Sequence, residues 1–492
     1  MAPTTTGVQA VRTTGIYCRP ECSARPHPEN VTAFPLAAAA EAAGYRACHR
    51  CRPYREEVAV GAIGTELVCR AVRMITAGVL DDHDEDFLAA ELGLSKRHLR
   101  RVFTDQLGVT PDALARSRRV HFARRLLDDT DVPIRDVAFA AGFGSVRQFQ
   151  RACVSTFGDP PVVLRGRRRA GDRLAADGGL VLRLGYTGEV DWVARSRWFG
   201  VRAVEGVEVV GDGAERGHPY ARTMLVDGDP AVVEIADTDG AGSALVMRAH
   251  LPHWQGLTHV VHRARALAAL DVDQREASAQ LTTDPLLAHT VARSPGLRPP
   301  GCWDPFEVVV QAVLGQQVTV AAATRFASRI SESHGRRIAG LSEMGLTRLF
   351  PGPSELASAD LSGIGLTGAR RATVAEVSAA FAEGRVELPE VIDPLDPLDA
   401  GSPLGSALDA LRSIRGIGRW TTEYVALRLG AADAFPAGDV ALQEAYARLS
   451  GGPRPTESQL REVAQRWRPW RSFAAVHLWH SLLFDLRSHQ ES

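Results

Sequence analysis

The sequence predicts a mainly helical protein of several domains, with a small metal-binding domain at its start and a small α+β domain in its middle. Three observations carry this expectation. At 492 residues the chain is too long for one hydrophobic core, and length alone suggests about three or four domains. Helical periodicity with glycine punctuation fills residues 65–165 and returns after His250, while residues 179–249 read as short β-rich runs bounded by Gly and Asp. Four of the seven cysteines (Cys18, Cys22, Cys48, Cys51, Cys69, Cys153 and Cys302) crowd into the first 51 residues.

Composition excludes several classes. Hydrophobic residues make up 45% of the chain, yet no apolar run is long enough to span a membrane. The opening MAPTTTGVQAVRTTG has no apolar stretch of the kind a signal peptide needs, so a cytoplasmic location and no membrane partner are expected. Net charge is −1, but the average hides a pattern: residues 96–125 and 165–173 are dense in arginine and residues 81–86 are acidic. Lys96 is the single lysine, which removes lysine chemistry from every other part of the chain.

These shifts divide the chain into residues 1–57, rich in Cys and Arg; a helical region, 65–165; a polar, glycine-containing linker, 166–178; an α+β region, 179–288; and a second helical region, 289–490. Proline-rich breaks at 299–300 and 392–403 fall between helical patterns.

Cys18-x3-Cys22 and Cys48-x2-Cys51, twenty-five residues apart, form a tetrahedral Zn2+ pattern. A unit this small needs the metal to fold. The stretch VRTTGIYCRPEC…GYRACHRC closely resembles the amino-terminal domain of the Ada family. The resemblance implies that Cys18 accepts a methyl group from a methylated DNA phosphate, with Cys22, Cys48 and Cys51 as co-ligands. Arg12, Arg19, Arg46, Arg50 and Arg52 would face phosphate, and loss of one negative charge on methylation would tighten DNA binding. A purely structural zinc site is the alternative. About ten residues precede VRTTG, where that family carries a further segment.

Residues 89–107 read as helix, tight turn, helix, and a second copy runs from Ile134 through a turn at Gly142 to Phe157. At an offset of fifty residues, Leu99 aligns with Phe149, Gly108 with Gly158 and Pro111 with Pro161. The repeat suggests two helix-turn-helix units. It resembles the DNA-binding domain of AraC-type regulators, down to the closing FGDPPVVLR. The second helices carry Ser95, Lys96, Arg97, Arg100 and Arg101, then Ser145, Arg147, Gln148 and Arg151, residue types that reach bases or phosphates from the major groove. Double-stranded operator DNA and RNA polymerase are the partners such a regulator implies.

Residues 411–439, LRSIRGIGRWTTEYVALRLGAADAFPAGD, hold the densest signal. Gly416 and Gly418 permit a tight turn before a helix from about Arg419 to Leu429, whose free N–H groups suit a DNA phosphate. Asp439 then follows a Phe435-Pro436-Ala437-Gly438 loop and is open to two readings, an N-cap or a carboxylate facing substrate. The arrangement resembles the helix-hairpin-helix DNA glycosylases, and from about residue 180 nearly to its end the chain resembles the monofunctional AlkA-type glycosylases. Supporting stretches are RAVEGVE, RSPGLRPPGCWDPFEVVVQAVLGQQVTVAAA and RWRPWRSFAAVHLWHSLLF. The resemblance implies excision of alkylated purines such as 3-methyladenine. Asp439 would stabilise the oxocarbenium-like sugar, and Trp420, Tyr424, Trp479 and Trp198 would line a pocket that attracts a cationic base. Gln317 aligns with the family's leucine wedge, which fills the gap left by a flipped base. Trp420 stands where lyase-type relatives carry a Schiff-base lysine, and no four-cysteine cluster lies near the carboxyl end, so neither lyase activity nor an iron–sulfur centre is expected.

The reading is a fused protein of alkylation damage: sensor, regulator and glycosylase. The alternatives are a DNA-binding regulator whose glycosylase half is degenerate, and a glycosylase using its helix-turn-helix region for non-specific affinity. No reactive Pro-Cys-His-Arg stretch is present, so direct reversal of base O-alkylation is not expected.

Overall fold

The computed structural model describes residues 7–24, 26–55, 65–169, 179–211, 217–237, 244–338 and 344–488, with the side chains of Glu66 and of 483–488 excepted. The linker expected at 166–178 falls mostly outside the described residues. Two compact units emerge, residues 1–186 with 247–262 and residues 187–246 with 263–492. Both are mainly helical, as expected.

In the first unit four short strands lie in the order Val31–Phe34, Val8–Val11, Ile16–Cys18, Arg46–Ala47. The last two pair in parallel, Ile16 with Arg46 and Tyr17 with Ala47. The helical repeat follows. Glu85–Glu91 and Lys96–Leu107 form the first pair, Ile134–Ala140 and Val146–Phe157 the second, and the long helix Pro111–Asp129 joins them. Local chemistry repeats with the sequence. Ser95 and Ser145 each accept a backbone N–H three residues on as N-caps, and Gly108 and Gly158 end both second helices at φ 74° and 84°. Leu99, Phe103 and Leu107, like Phe149, Cys153 and Phe157, turn one face inward.

In the second unit the strands Glu208–Val210, Tyr220–Val226 and Asp229–Ala236 run antiparallel. The β-rich reading of this region missed one element, the helix Trp192–Gly200. Asp191 caps it at the Ala194 N–H, and Trp192, Arg195, Ser196 and Phe199 bury one face at helical spacing. The core of the unit centres on Pro305–Leu314, whose Val308, Val309, Val310, Val313 and Leu314 are all buried. Around it pack residues of Gly368–Ala382, Arg419–Leu429 and Arg471–Ser488, with Phe435 and Trp467. Each fully buried Val or Leu contributes about 1.5–3 kcal/mol. A buried cation organises the proline-rich break: Arg298, 1% exposed, donates to the carbonyls of Thr187, Glu189, Ala269 and Val272 and to Gln274 Oε1.

Candidate functional site

The four amino-terminal cysteines meet because two adjacent strand ends bring them together. Cys18 ends Ile16–Cys18, and Cys48 follows the paired strand, its N–H bonded to the Tyr17 carbonyl at 3.0 Å. Tight turns then carry Cys22 and Cys51 back toward them, through Cys22 N–H to Arg19 O and Arg52 N–H to Cys48 O, each 3.1 Å. All four Sγ atoms lie within 4.8 Å of one another. A tetrahedral ion about 2.3 Å from each sulfur would set them about 3.8 Å apart, so the set fits a metal after a small contraction. The Arg19 and Arg50 N–H groups donate to Cys51 and Cys48 sulfurs at 3.4 Å, support that favours thiolates. A hydrogen bond to Cys51 raises the Cys18 thiol above its ordinary range, and the same bond holds Cys51 down to about 5. Cys18 is buried, whereas Cys22, Cys48 and Cys51 are partly exposed.

Of the arginines expected to face phosphate here, Arg46 and Arg50 are exposed, and Arg12 is exposed with its guanidinium on the Glu29 carbonyl at 2.6 Å. Arg19 is half-buried. Arg52 departs from the expectation: it is 6% exposed and turns its Nη1 to within 3.9 Å of buried Asp128. Asp128 collects Tyr54, Arg55 and Arg124 as well, so the end of this unit is fastened to the long helix Pro111–Asp129 by charge. Tyr17, beside Cys18, adds a link that sequence reading missed. Its hydroxyl donates to Glu41 at 2.6 Å, and Glu41 also meets His121 of the long helix at 2.7 Å.

On the helix-turn-helix pair, Arg97, Arg100, Arg147, Gln148 and Arg151 all lie on exposed faces. Arg100 is bound to Glu85 at 2.5 Å and Lys96 to Asp86 at 2.8 Å, which leaves less of their charge for DNA. Among the described residues Arg97, Arg147 and Arg151 form no ion pair.

The second unit draws Trp198, Trp420, Tyr424, Asp439 and Trp479 together. Asp439 caps the helix Val440–Ser450, its Oδ1 accepting the Leu442 N–H at 3.0 Å. The same oxygen accepts Trp479 Nε1 at 3.0 Å, and Oδ2 accepts Trp420 Nε1 at 3.2 Å. Three N–H donors thus fix one half-buried carboxylate. Trp420 stacks on Tyr424 with ring centres 5.5 Å apart, and Tyr424 meets Trp479 edge-on at 6.4 Å.

The loop before Asp439 is anchored to the helix that bears Trp479. Ser472 N–H donates to Ala432 O, and Ser472 Oγ to the Ala431 and Ala434 carbonyls. Asp433 takes Arg468 and Arg471 at 2.7–2.9 Å. Trp479 then lies two helical turns beyond Arg471 on Arg471–Ser488, level with Asp439.

Two arginines of this cluster escaped sequence reading. Arg428 donates to Tyr424 Oη at 3.1 Å and to the Pro300 and Gly301 carbonyls, and its Cζ sits 4.5 Å from the Trp198 ring centre. Arg202 stacks on Trp198 at 3.9 Å. Trp420, Tyr424 and Arg428 stand at i, i+4 and i+8 on one helix, a stripe the sequence did contain. Trp198 thus carries two guanidinium groups against its ring, whereas Trp420 and Trp479 turn their N–H edges to Asp439.

The two hairpin glycines have different reasons. Gly416 adopts φ 95°, and a Cβ there would lie 2.2 Å from Thr373 Oγ1. Gly418 has an ordinary φ of −104°, and a Cβ would meet nothing within 4 Å. It is the N-cap of Arg419–Leu429, and no side chain caps that helix, so its first-turn N–H groups have no side-chain acceptor. Gln317 is exposed, with φ 55°, in the loop between Pro305–Leu314 and Val320–His334.

Three segments of the chain match known families. Residues 4–54 match the metal binding domain of Ada, residues 88–167 a helix-turn-helix domain, and residues 181–304 the AlkA N-terminal domain. DNA-3-methyladenine glycosylase 2 of Escherichia coli is 33% identical over 295 residues, 59% of this chain and 94% of that protein. A solved 3-methyladenine DNA-glycosylase from Archaeoglobus fulgidus shares the fold, with a TM-score of 0.51 and 22% identity over 61% of this chain and 98% of that one. A protein of Mycobacterium tuberculosis named "Probable bifunctional transcriptional activator/DNA repair enzyme AlkA" is 36% identical over 483 residues, 96% of this chain and 92% of that protein. The chain therefore belongs to the AlkA family of bifunctional transcriptional activators and DNA repair enzymes.

Proposed function

We propose that the chain is a DNA glycosylase of alkylation damage joined to its own damage-responsive regulator, with residues 289–490 excising alkylated purines such as 3-methyladenine. The observation that carries this reading is the Asp439 carboxylate, held by the N–H edges of Trp420 and Trp479, with Tyr424 stacked on Trp420. Breaking the N-glycosidic bond leaves a positive charge on the sugar, which Asp439 stabilises while water adds to the sugar carbon. An alkylated purine is already cationic and leaves as a neutral base, so no strong general acid is needed. The faces of Trp420 and Trp479 favour the charged base. The hairpin amides at Gly418 and beyond hold a phosphate, and Gln317 fills the gap in the stack. With Lys96 the single lysine, residues 289–490 offer no amine for a Schiff base, and the reaction ends at the abasic site. The test is release of 3-methyladenine from methylated duplex by the wild type and by Asp439→Asn. Loss of release with retained DNA binding is expected, and full release by the variant would sink the mechanism.

For residues 1–57 we propose zinc at Cys18, Cys22, Cys48 and Cys51, supported by the four-sulfur cluster. Zinc keeps bound sulfurs as thiolates at neutral pH. The Cys18 sulfur attacks the methyl carbon of a phosphate methyl ester, the methyl C–O bond breaks, and a phosphodiester anion leaves. Residues 65–165 then bind operator through Arg97, Arg147, Gln148 and Arg151 and present the promoter to RNA polymerase. Incubation with methylphosphotriester DNA and mass spectrometry of the cysteine peptides identifies the acceptor. A methyl group on Cys22, Cys48 or Cys51 instead would reassign it, and unmodified peptides would remove the activity.

A further inference from the structure

Residues 315–319 read Gly-Gln-Gln-Val-Thr, and two adjacent glutamines could each enter a DNA stack. The structure separates them. Gln317 is exposed and left-handed at φ 55°, a conformation that non-glycine residues seldom adopt. Gln316 is half-buried and turned the other way. Its Nε2 donates to the Gly416 carbonyl at 2.9 Å and to Thr421 Oγ1 at 3.0 Å. Its own carbonyl accepts from Arg370 Nη2.

Arg370 stands on Gly368–Ala382, and one turn further on is Thr373, whose hydroxyl donates to the Arg415 carbonyl at 3.1 Å and closes over Gly416. Loop 315–319, the hairpin and the first turn of Arg419–Leu429 are thereby joined by side chains rather than by backbone pairing. Gln316 is the residue common to all of these bonds except that of Thr373. A glutamine amide suits the post because one NH2 group supplies two donors, and here both are used on two acceptors of different elements.

We propose that Gln316 is a positioning residue that ties the stack-filling Gln317 to the phosphate-gripping hairpin, so that gripping the backbone places Gln317 for base extrusion. The tie acts before any bond is broken, because the Gln316 NH2 group is already engaged by the Gly416 carbonyl and the Thr421 hydroxyl. It rests on the functional reading above, in which Gln317 fills the stack and the hairpin grips phosphate.

The test is a double-mutant cycle on the full chain with methylated duplex, using Gln316→Met, which keeps length and removes both donors, and Gln317→Ala. Single-turnover excision and the fluorescence of 2-aminopurine beside the lesion are followed together with duplex affinity. Losing a hydrogen-bonded tie is expected to slow extrusion and excision on the order of tenfold while affinity for undamaged duplex stays within about twofold. Gln317→Ala is expected to lose a similar factor. The double variant should lose no more than the larger single loss, because a tie to an absent side chain has nothing left to position. A double loss equal to the product of the two would show that Gln316 serves the fold alone and overturn the proposal, as would wild-type extrusion by Gln316→Met. Thr421→Val, which removes one acceptor, should reproduce part of the Gln316→Met defect, and Thr421→Ser, which keeps the acceptor, should not. A wild-type chain that neither extrudes nor excises defeats the functional reading itself, a result distinct from a cycle that fails while wild type works.

Discussion

The four-cysteine cluster and the Asp439 cluster are put together in different ways. The cysteines arrive as two sequence-local pairs, Cys18 with Cys22 and Cys48 with Cys51, and the parallel pairing of Tyr17 with Ala47 closes the gap between them. The Asp439 cluster draws Trp198, Trp420, Tyr424, Arg428 and Trp479 from helices far apart in the chain, and it closes only when the loop 430–438 is fixed to Ser472 and Arg471. In the first region the ligand would supply the energy that a small unit lacks. In the second the hydrophobic core around Pro305–Leu314 supplies it, and the site is a by-product of packing. One region should therefore fail when its metal is removed, the other only when its chemistry is altered.

The largest expected effect tests the first half of that contrast. Removing zinc with a chelator should unfold residues 8–54, because a structural zinc site contributes on the order of 10 kcal/mol. Limited proteolysis would detect it, while excision of 3-methyladenine by the same sample stays unchanged. A parallel loss of excision would break the distinction.

Asp439→Asn comes next. On the proposed mechanism it should lower excision on the order of a thousandfold, since it removes the charge assigned to stabilise the sugar cation. Asparagine keeps the cap through one oxygen but turns an NH2 group toward the Trp420 Nε1–H, so thermal stability should fall by about 1–3 kcal/mol. A larger fall in melting temperature would mean that the carboxylate serves the fold first. Replacing Arg147 and Gln148 together by alanine should weaken operator binding by about 1–3 kcal/mol for each base that is no longer read. Footprinting would show it, and excision should remain at the wild-type rate. Trp479→Phe keeps a ring but removes the N–H on Asp439 Oδ1, about 1 kcal/mol of positioning. It should lower kcat several-fold and also raise KM, because a phenyl face attracts a cationic base less than an indole face does. Smallest of all, Ser145→Ala should cost about 1 kcal/mol of stability by removing the cap on Gln148 N–H, seen as a shift in melting temperature.

Legibility in the sequence tracked the distance between cooperating residues. The helical repeat could be read because its caps, turns and core positions recur locally: Ser95 with Ser145, Gly108 with Gly158, Leu99 with Phe149. The cysteine set could be read for the same reason. The helix Trp192–Gly200 was hidden by the β-rich runs on either side, although Asp191 announces its start. Arg202 and Arg428 were hidden because an arginine's role depends on what lies across from it, and here that is Trp198. Asp439 offered a choice between N-cap and site carboxylate; it is the N-cap, and capping leaves its oxygens able to take two indole N–H groups as well. Oδ1 serves the cap and Trp479, and Oδ2 serves Trp420.

The mainly helical class, the cysteine pairs, the repeated helix-turn-helix units and the hairpin are written locally, because each is encoded by neighbours within a turn or two. Which of two glutamines faces outward, why Gly416 must lack a Cβ while Gly418 need not, and how Asp439 meets its two tryptophans emerge from packing alone. The physical reason is range. Caps, turns and periodicity act over a few residues, whereas a carboxylate and an indole forty residues apart meet only after the core has packed.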